Sequence, residues 1–545
     1  MTMLPRRTPR SAGVDANGIA GFLDEMSKSG IELHSCMIVR RGSVVFEHWW
    51  APYDPQTPHL LYSLSKSFTA VAAGIAEAEG LLKLDDRLSD HLDETAHYGE
   101  ATIADALRMS VGHLLDPVLD PTTDSGEMND VALRAKLRDY SPERKPGEVF
   151  TYDQLATFAV AKIIEARSGT SLLEYLRPRL LAPLGAAEAK WYGGEANPGL
   201  TGLYLCTESI AAFGQLLLQE GEWGGEQLVP RDWLRRATST QMYNDSAHRF
   251  PPDMPVDRDS GLGYGYQFWI GDHGYHAGGA YGQFCLVLPG SDAVVAVTAS
   301  TQAGQPVLDA VWEHLLPAFA ADVPDDEVTA AADLRLAKRF ADATVVPPVA
   351  GVFDLAACTA KATLGQLAVV TDALRGGTSS ELWHGAAAHA SEWTERAVEA
   401  IASAAADPVP LVDPICRDVS TLTFTRAARD ASLPHTRFGG LGDIDMPELT
   451  AVRLSGNVLT LTLEEGLAHL AVEPDRWQRG VLPGEIPIPF TTRGGWAGDG
   501  RFEVELRMIE GPHVGYLLLD PETEEFSFIW REPTLAGRGL AGYRA

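Results

Sequence analysis

"LYSLSKSFTA", residues 61–70, opens an otherwise greasy segment with three serines and a lysine. The run that follows, "VAAGIAEAEG", is Ala-rich and poor in strand formers. Phe68, Val71, Ala72 and Ile75 fall on one face, which predicts a long, largely buried helix. Ser63 and Lys66 stand in the spacing S-x-x-K, which puts hydroxyl and ammonium one helical turn apart on the same face. A serine hydroxyl is a poor nucleophile until its proton is removed, and a desolvated lysine can remove it because burial disfavours the charged form. The helix N-terminus beside Ser63 adds free N–H groups suited to an oxyanion. Among the lysines of the chain only Lys66 has serine three residues before it. The competing reading is a capping serine and a solvated first-turn lysine, since S-x-x-K by itself is a weak pattern.

On the N-terminal side, "GIAGFLDEMSKSG" carries Ile19, Phe22, Leu23 and Met26 at helical spacing, and "SCMIVRRGSVVFEHWW" reads as two strands turning at Arg41-Gly42. On the C-terminal side, residues from about 100 to 240 are mainly helical, with "DQLATFAVAKIIEARSG" and "TESIAAFGQLLLQEG" each stopped by glycine. About three strands return in "GLGYGYQFWIGDHGYHAGGAYGQFCLVLPGSDAVVAVTAS", and "QPVLDAVWEHLLPAFA" closes the unit as a helix. The expected fold is α+β, an antiparallel sheet flanked by helices with a helical subdomain. Expected boundaries are 1–320 for this unit, 321–345 for an acidic, Ala-rich linker with a short helix, and 346–545 for a β-rich domain. The β-rich reading, an antiparallel barrel or lipocalin-like sheet, rests on "STLTFTRAA", "TAVRLSGNVLTLTLEEG", "RFEVELRMIEG", "VGYLLLD" and "EFSFIWRE". The alanine-rich stretch 382–406 is a helix or a loose insert.

Composition excludes several classes. Lys+Arg 44 against Asp+Glu 74 gives a formal net charge of -30, which repels phosphate backbones and anionic lipid, so nucleic acid and membrane are not expected partners. The N-terminal "MTMLPRRTPRSAGVDANG" lacks the apolar core of a signal peptide, and no window reaches the roughly 18 apolar residues of a membrane span. Cys36, Cys206, Cys285, Cys358 and Cys416 are scattered and form no C-x-x-C pair. A cytoplasmic setting is expected. His273 and His276 are spaced so that a strand turns them to opposite faces, and no acid or cysteine cluster completes a metal site, so no metal is expected. His113 in "MSVGHLL" and the aromatics of "GYGYQFW" are explained by a capped turn and an ordinary strand, and stay outside the candidate site.

The motifs in their order resemble the serine β-lactamase and penicillin-binding-protein superfamily, in particular its class C-like branch of cytoplasmic esterases and amidases. The resemblance covers roughly residues 10 to 320. Its first motif is Ser63-Leu64-Ser65-Lys66, within "LYSLSKSFTA...AEGLLKLDD". Its second, Tyr-x-Asn ahead of a helix, is matched by Tyr152-Asp153-Gln154 in "PGEVFTYDQLATFAVAKIIEARSG", with Gln154 in place of the Asn. The resemblance implies a β-lactamase/transpeptidase-like fold and catalysis by Ser63, Lys66 and Tyr152 through an acyl-enzyme, without a cofactor. An ammonium beside Tyr152 would lower the phenol pKa, so that Lys66 and Tyr152 both stand as candidates for the first base. The third motif, Lys-Thr-Gly or a small-residue variant, falls in "YHAGGAYGQFCLVLPG" on Ala277, Gly278 and Gly279, with His276-Ala277-Gly278 one residue away. The N–H of Ala280 or a neighbour is then the second oxyanion donor, beside that of Ser63. The lysine that would hold a substrate carboxylate is missing, which favours a small ester or amide over a β-lactam. The alternatives are a peptidase for short or D-amino-acid peptides and an inactive module that binds acyl ligands. A homo-oligomer is compatible with either.

Overall fold

The structure is a computed structural model that describes residues 4–118, 129–192, 196–244, 258–302, 304–320, 323–341, 421–426, 446, 448–484 and 487–531. The chain divides into two compact units, Met1–Val345 and Val346–Ala545. The alanine-rich stretch 382–406 lies outside the described residues.

The first unit starts with helix α1 (Ala16–Lys28), capped by the Asp15 carboxylate on the N–H of Asn17. Strands β1 (Glu32–Arg40) and β2 (Ser43–Trp49) follow, joined where Arg41 and Gly42 both adopt positive φ. Helix α2 (Ser65–Ala78) runs beneath them; helices α3 (Gln154–Ser168) and α4 (Thr207–Leu218) belong to the helical insert. Four strands come after the insert: β3 (Trp269–Gly271), β4 (Gly274–Gly279), β5 (Gln283–Leu288) and β6 (Ala293–Ser300). The short β3 is one more than the pattern of "GYGYQFWIG" reveals, since three residues carry no alternation of their own. Together the strands make one antiparallel sheet in the order β2-β1-β6-β5-β4-β3, so the two ends of the unit pair at β1 and β6.

Alternation along the strands supplies two cores. Cys36 and Ile38 of β1 and Val295 and Val297 of β6 face α1, against Phe22, Met26 and Leu315. Met37 and Val39, with Val294 and Ala296, face α2 and α4, where Phe68 stacks on Phe213 at 3.9 Å. Because α2 lies between sheet and insert, nearly every one of its residues is buried, Lys66 included. Helix α5 (Gln305–Ala310) closes the sheet. Within the segment read as a linker, α6 (Glu327–Ala341) is a regular helix packed on α1.

The second unit is a sheet of nine strands: β7 (Leu422–Arg426), β8 (Leu449–Ser455), β9 (Val458–Leu463), β10 (Gly466–Ala471), β11 (Gln478–Leu482), β12 (Ile488–Trp496), β13 (Phe502–Met508), β14 (Val514–Asp520) and β15 (Glu525–Trp530). Their order is β10-β9-β8-β7-β15-β14-β13-β12-β11, with the end strands β10 and β11 side by side, which makes a nearly closed barrel. All pairs are antiparallel except β7 with β15, which run parallel. Phe502, Val504, Leu506 and Met508 alternate into its core, as period-two strands require. Among the described residues no helix is long and apolar enough to cross a membrane.

Candidate active site

Ser63 sits in a 3-10 turn, Tyr62–Leu64, that feeds directly into α2. The turn is held from both sides: Leu61 N–H donates to the Leu203 carbonyl at 2.9 Å and Leu203 N–H to Ser65 Oγ at 3.0 Å. Tyr62, just before the serine, has φ of 49°, a left-handed conformation that costs a side-chain-bearing residue energy and is kept only where its surroundings enforce it.

Lys66 Nζ lies 3.0 Å from Ser63 Oγ, 2.7 Å from Gln154 Oε1 and 2.8 Å from the Leu200 carbonyl. The last two partners can only accept. An uncharged amine satisfies them with its two N–H bonds and turns its lone pair to the serine. Burial is also what brings the Lys66 pKa down to about 7, opposed in part by the carboxylates of Asp116 and Asp153. Gln154 thus occupies the position of the second-motif Asn and reaches the lysine with its side-chain oxygen.

Tyr152 comes to the same place from the turn before α3. Its hydroxyl is hydrogen-bonded to Ser63 and Tyr264, and Lys66 Nζ lies 5.1 Å from its ring centroid. The expected lowering of its pKa by a neighbouring ammonium does not occur. Burial raises the phenol instead, with the Asp116 charge acting in the same direction, so Tyr152 is a neutral donor at ordinary pH. The aromatics left outside the site hold it. Tyr152 stacks on Trp269 at 5.4 Å and 10°, and Tyr264 meets Trp269 edge-on at 4.7 Å. His113 Nδ1 is 2.7 Å from Asp153 Oδ2, while Asp153 Oδ1 accepts from the N–H of Leu155 and Ala156 and so caps α3. Burial works against the charge of His113, but the Asp153 carboxylate outweighs it and raises the imidazole pKa.

The third-motif residues lie on β4, packed against the Tyr62–Leu64 turn. Strand β3 pairs only with Gly274 to His276, so Ala277–Gly279 continue past it. Gly279 passes so close to the turn that a Cβ there would come within 2.1 Å of the Leu61 carbonyl oxygen. Register decides the faces. Ala277 pairs with Cys285 and lies in the core of α2, whereas His276 pairs with Leu286 and packs on the α1 side, against Phe284 at 5.7 Å. Burial takes the His276 pKa down to about 4. Ala280 begins the tight turn to β5, in which Tyr281 has φ of 63° and its ring meets that of Tyr62 at 5.4 Å. Asp116 and Gln267 carry no sequence signal. Gln267 receives Ser67 Oγ on its carbonyl at 2.6 Å and Thr157 Oγ1 on its side chain at 2.8 Å, tying α2 to α3.

A sheet-and-helix unit with a serine and a buried lysine of lowered pKa at the head of its buried helix is the architecture of a serine hydrolase. The chain belongs to the Beta-lactamase family, whose model matches residues 22–320. An uncharacterized protein of Alkalihalophilus pseudofirmus is 22% identical over 248 residues, 40% of this chain and 68% of its own length. Among solved structures, a penicillin binding protein from Bacillus halodurans is similar at 18% identity and a TM-score of 0.43, over 54% of this chain and 99% of its own. A family VIII carboxylesterase is similar at 16% identity and a TM-score of 0.46, over 57% and 99%.

Proposed function

We propose that the protein is a carboxylesterase or small-amide hydrolase that forms an acyl-enzyme on Ser63. The observation that carries this reading is the contact of Lys66 Nζ with Ser63 Oγ at 3.0 Å, made by a lysine whose pKa burial brings to about 7. Uncharged Lys66 takes the hydroxyl proton as Ser63 Oγ attacks the substrate carbonyl. The N–H groups of Ser63 and Ala280 receive the oxyanion. Tyr152, a neutral phenol beside Ser63, gives its proton to the departing oxygen or nitrogen and regains one from Lys66. Water, deprotonated by the same lysine, attacks the acyl carbonyl; the bond to Ser63 Oγ breaks, Lys66 returns the proton to that oxygen, and the acid leaves, so every step uses only these side chains and solvent.

Ala277 stands where a carboxylate-binding lysine would be, which favours uncharged esters and amides over β-lactams. The test is intact mass after exposure to a small fluorophosphonate, followed by rates on a nitrophenyl ester, an aminoacyl anilide and a β-lactam. One adduct on the wild type, absent from Ser63→Ala, with the ester cleaved fastest, is expected. Faster anilide cleavage would favour a peptidase. No adduct on the folded wild type would overturn the reading in favour of an acyl-binding module.

A further inference from the structure

Asp116 belongs to none of the three motifs, and the steps above do not use it. Its Oδ1 accepts the backbone N–H of Gln154 at 3.3 Å and that of Val118 at 3.0 Å. Its Oδ2 is buried and has no hydrogen-bond partner among the described residues. Gln154 in turn presents Oε1 to Lys66 Nζ at 2.7 Å. One residue therefore joins the acid, through its backbone, to the base, through its side chain.

The other titratable groups near the pair are accounted for. From the turn before α3, Asp153 is held by His113 and by the N–H groups it caps, and Tyr152 is a neutral phenol. From the turn ahead of β3, burial keeps Tyr264 neutral as well. Glu143 acts on His113. The charges of Asp116 and Asp153 both reach Lys66, and that of Asp116 acts the more strongly. An ionised carboxylate with a bare buried oxygen is costly, so its proton and that of the lysine are coupled through space as well as through Gln154.

We infer that Asp116 is a positioning residue that fixes Gln154 against Lys66 and sets the pH at which Lys66 gives up its proton, and with it the pH at which Ser63 becomes reactive. The inference rests on the Ser63–Lys66 reading. Burial and the nearby Asp153 charge push Asp116 up to about 7, the range to which burial brings Lys66, and an ionised Asp116 raises the proton affinity of the lysine. Removing that charge must therefore let Lys66 lose its proton at lower pH.

The experiment follows the rate of fluorophosphonate labelling of the full chain by intact mass, from about pH 5 to about pH 9, for wild type, Asp116→Asn and Asp116→Ser. Both substitutions keep an acceptor for the two backbone N–H groups and remove the charge. The expected result is a midpoint lowered by about half a pH unit or more. Well below the midpoint, labelling relative to the alkaline plateau then rises about threefold. A midpoint that stays or moves upward in folded variants overturns the inference, even if the plateau falls. So does failure of both variants to fold, because the carboxylate would then be serving the fold. A wild type that labels at no pH strikes the Ser63 reading itself and the inference with it.

Discussion

At the scale of single residues, the site depends on which groups burial leaves charged. In the proposed mechanism Lys66 acts uncharged, and its pKa of about 7 lies below the ordinary lysine range. The uncharged form is therefore the minor one below that pH and the major one above it. The expected profile of kcat/KM rises about tenfold per pH unit up to pH about 7 and flattens beyond, measured on an ester substrate. Lys66→Met should lower kcat about a thousandfold while leaving the protein folded, since the methionine fills the space without burying an ammonium. Tyr152→Phe separates the roles further. The ring keeps its stack on Trp269, so melting temperature should hardly move. Hydrolysis of an anilide, whose nitrogen must be protonated to leave, should fall about a hundredfold, and that of a nitrophenyl ester less than about tenfold.

The element that most constrains the site is the pairing of strand β4 with the turn that carries Ser63. Gly279→Ala would drive a methyl carbon into the Leu61 carbonyl, a contact of 2.1 Å with backbone that cannot swing aside. We expect a loss of about 2 kcal/mol of stability in denaturant unfolding, together with loss of Ser63 labelling. At Gly278 the added carbon would meet side chains and not backbone, the His276 ring at 3.3 Å and the Trp269 ring at 3.6 Å, so Gly278→Ala should cost no more than about 1 kcal/mol. Equal losses at the two positions would refute this account of the strand. The same strand shows the limit of reading by pattern. "HAGGAYG" indicates small residues near a serine, but which of Ala277 and His276 faces α2 is a matter of register, and a slip of one residue reverses it.

For the whole molecule, each unit has a hydrophobic core of its own, with Phe68 and Phe213 central to one and Phe490 and Trp530 to the other. Calorimetry of the full chain should accordingly resolve two transitions, and a Ser63 ligand such as the fluorophosphonate should shift only one of them. A single transition, or a shift of both, would mean that the units unfold together.

Much of this protein was legible in one dimension because the relevant interactions are local. The spacing of Ser63 and Lys66, the turn at Arg41-Gly42 and the strand pattern of β13 each follow from short-range geometry. The charge states were not legible. The lowered pKa of Lys66 and the raised pKa of the Tyr152 phenol depend on how much water the fold removes. So do the parts played by Asp116, Tyr264 and Trp269, whose partners lie far away in sequence. The sequence by itself determined which groups were available and the order in which they occur. Only the tertiary structure decided their protonation and their facing, because desolvation and strand register come from packing between distant segments.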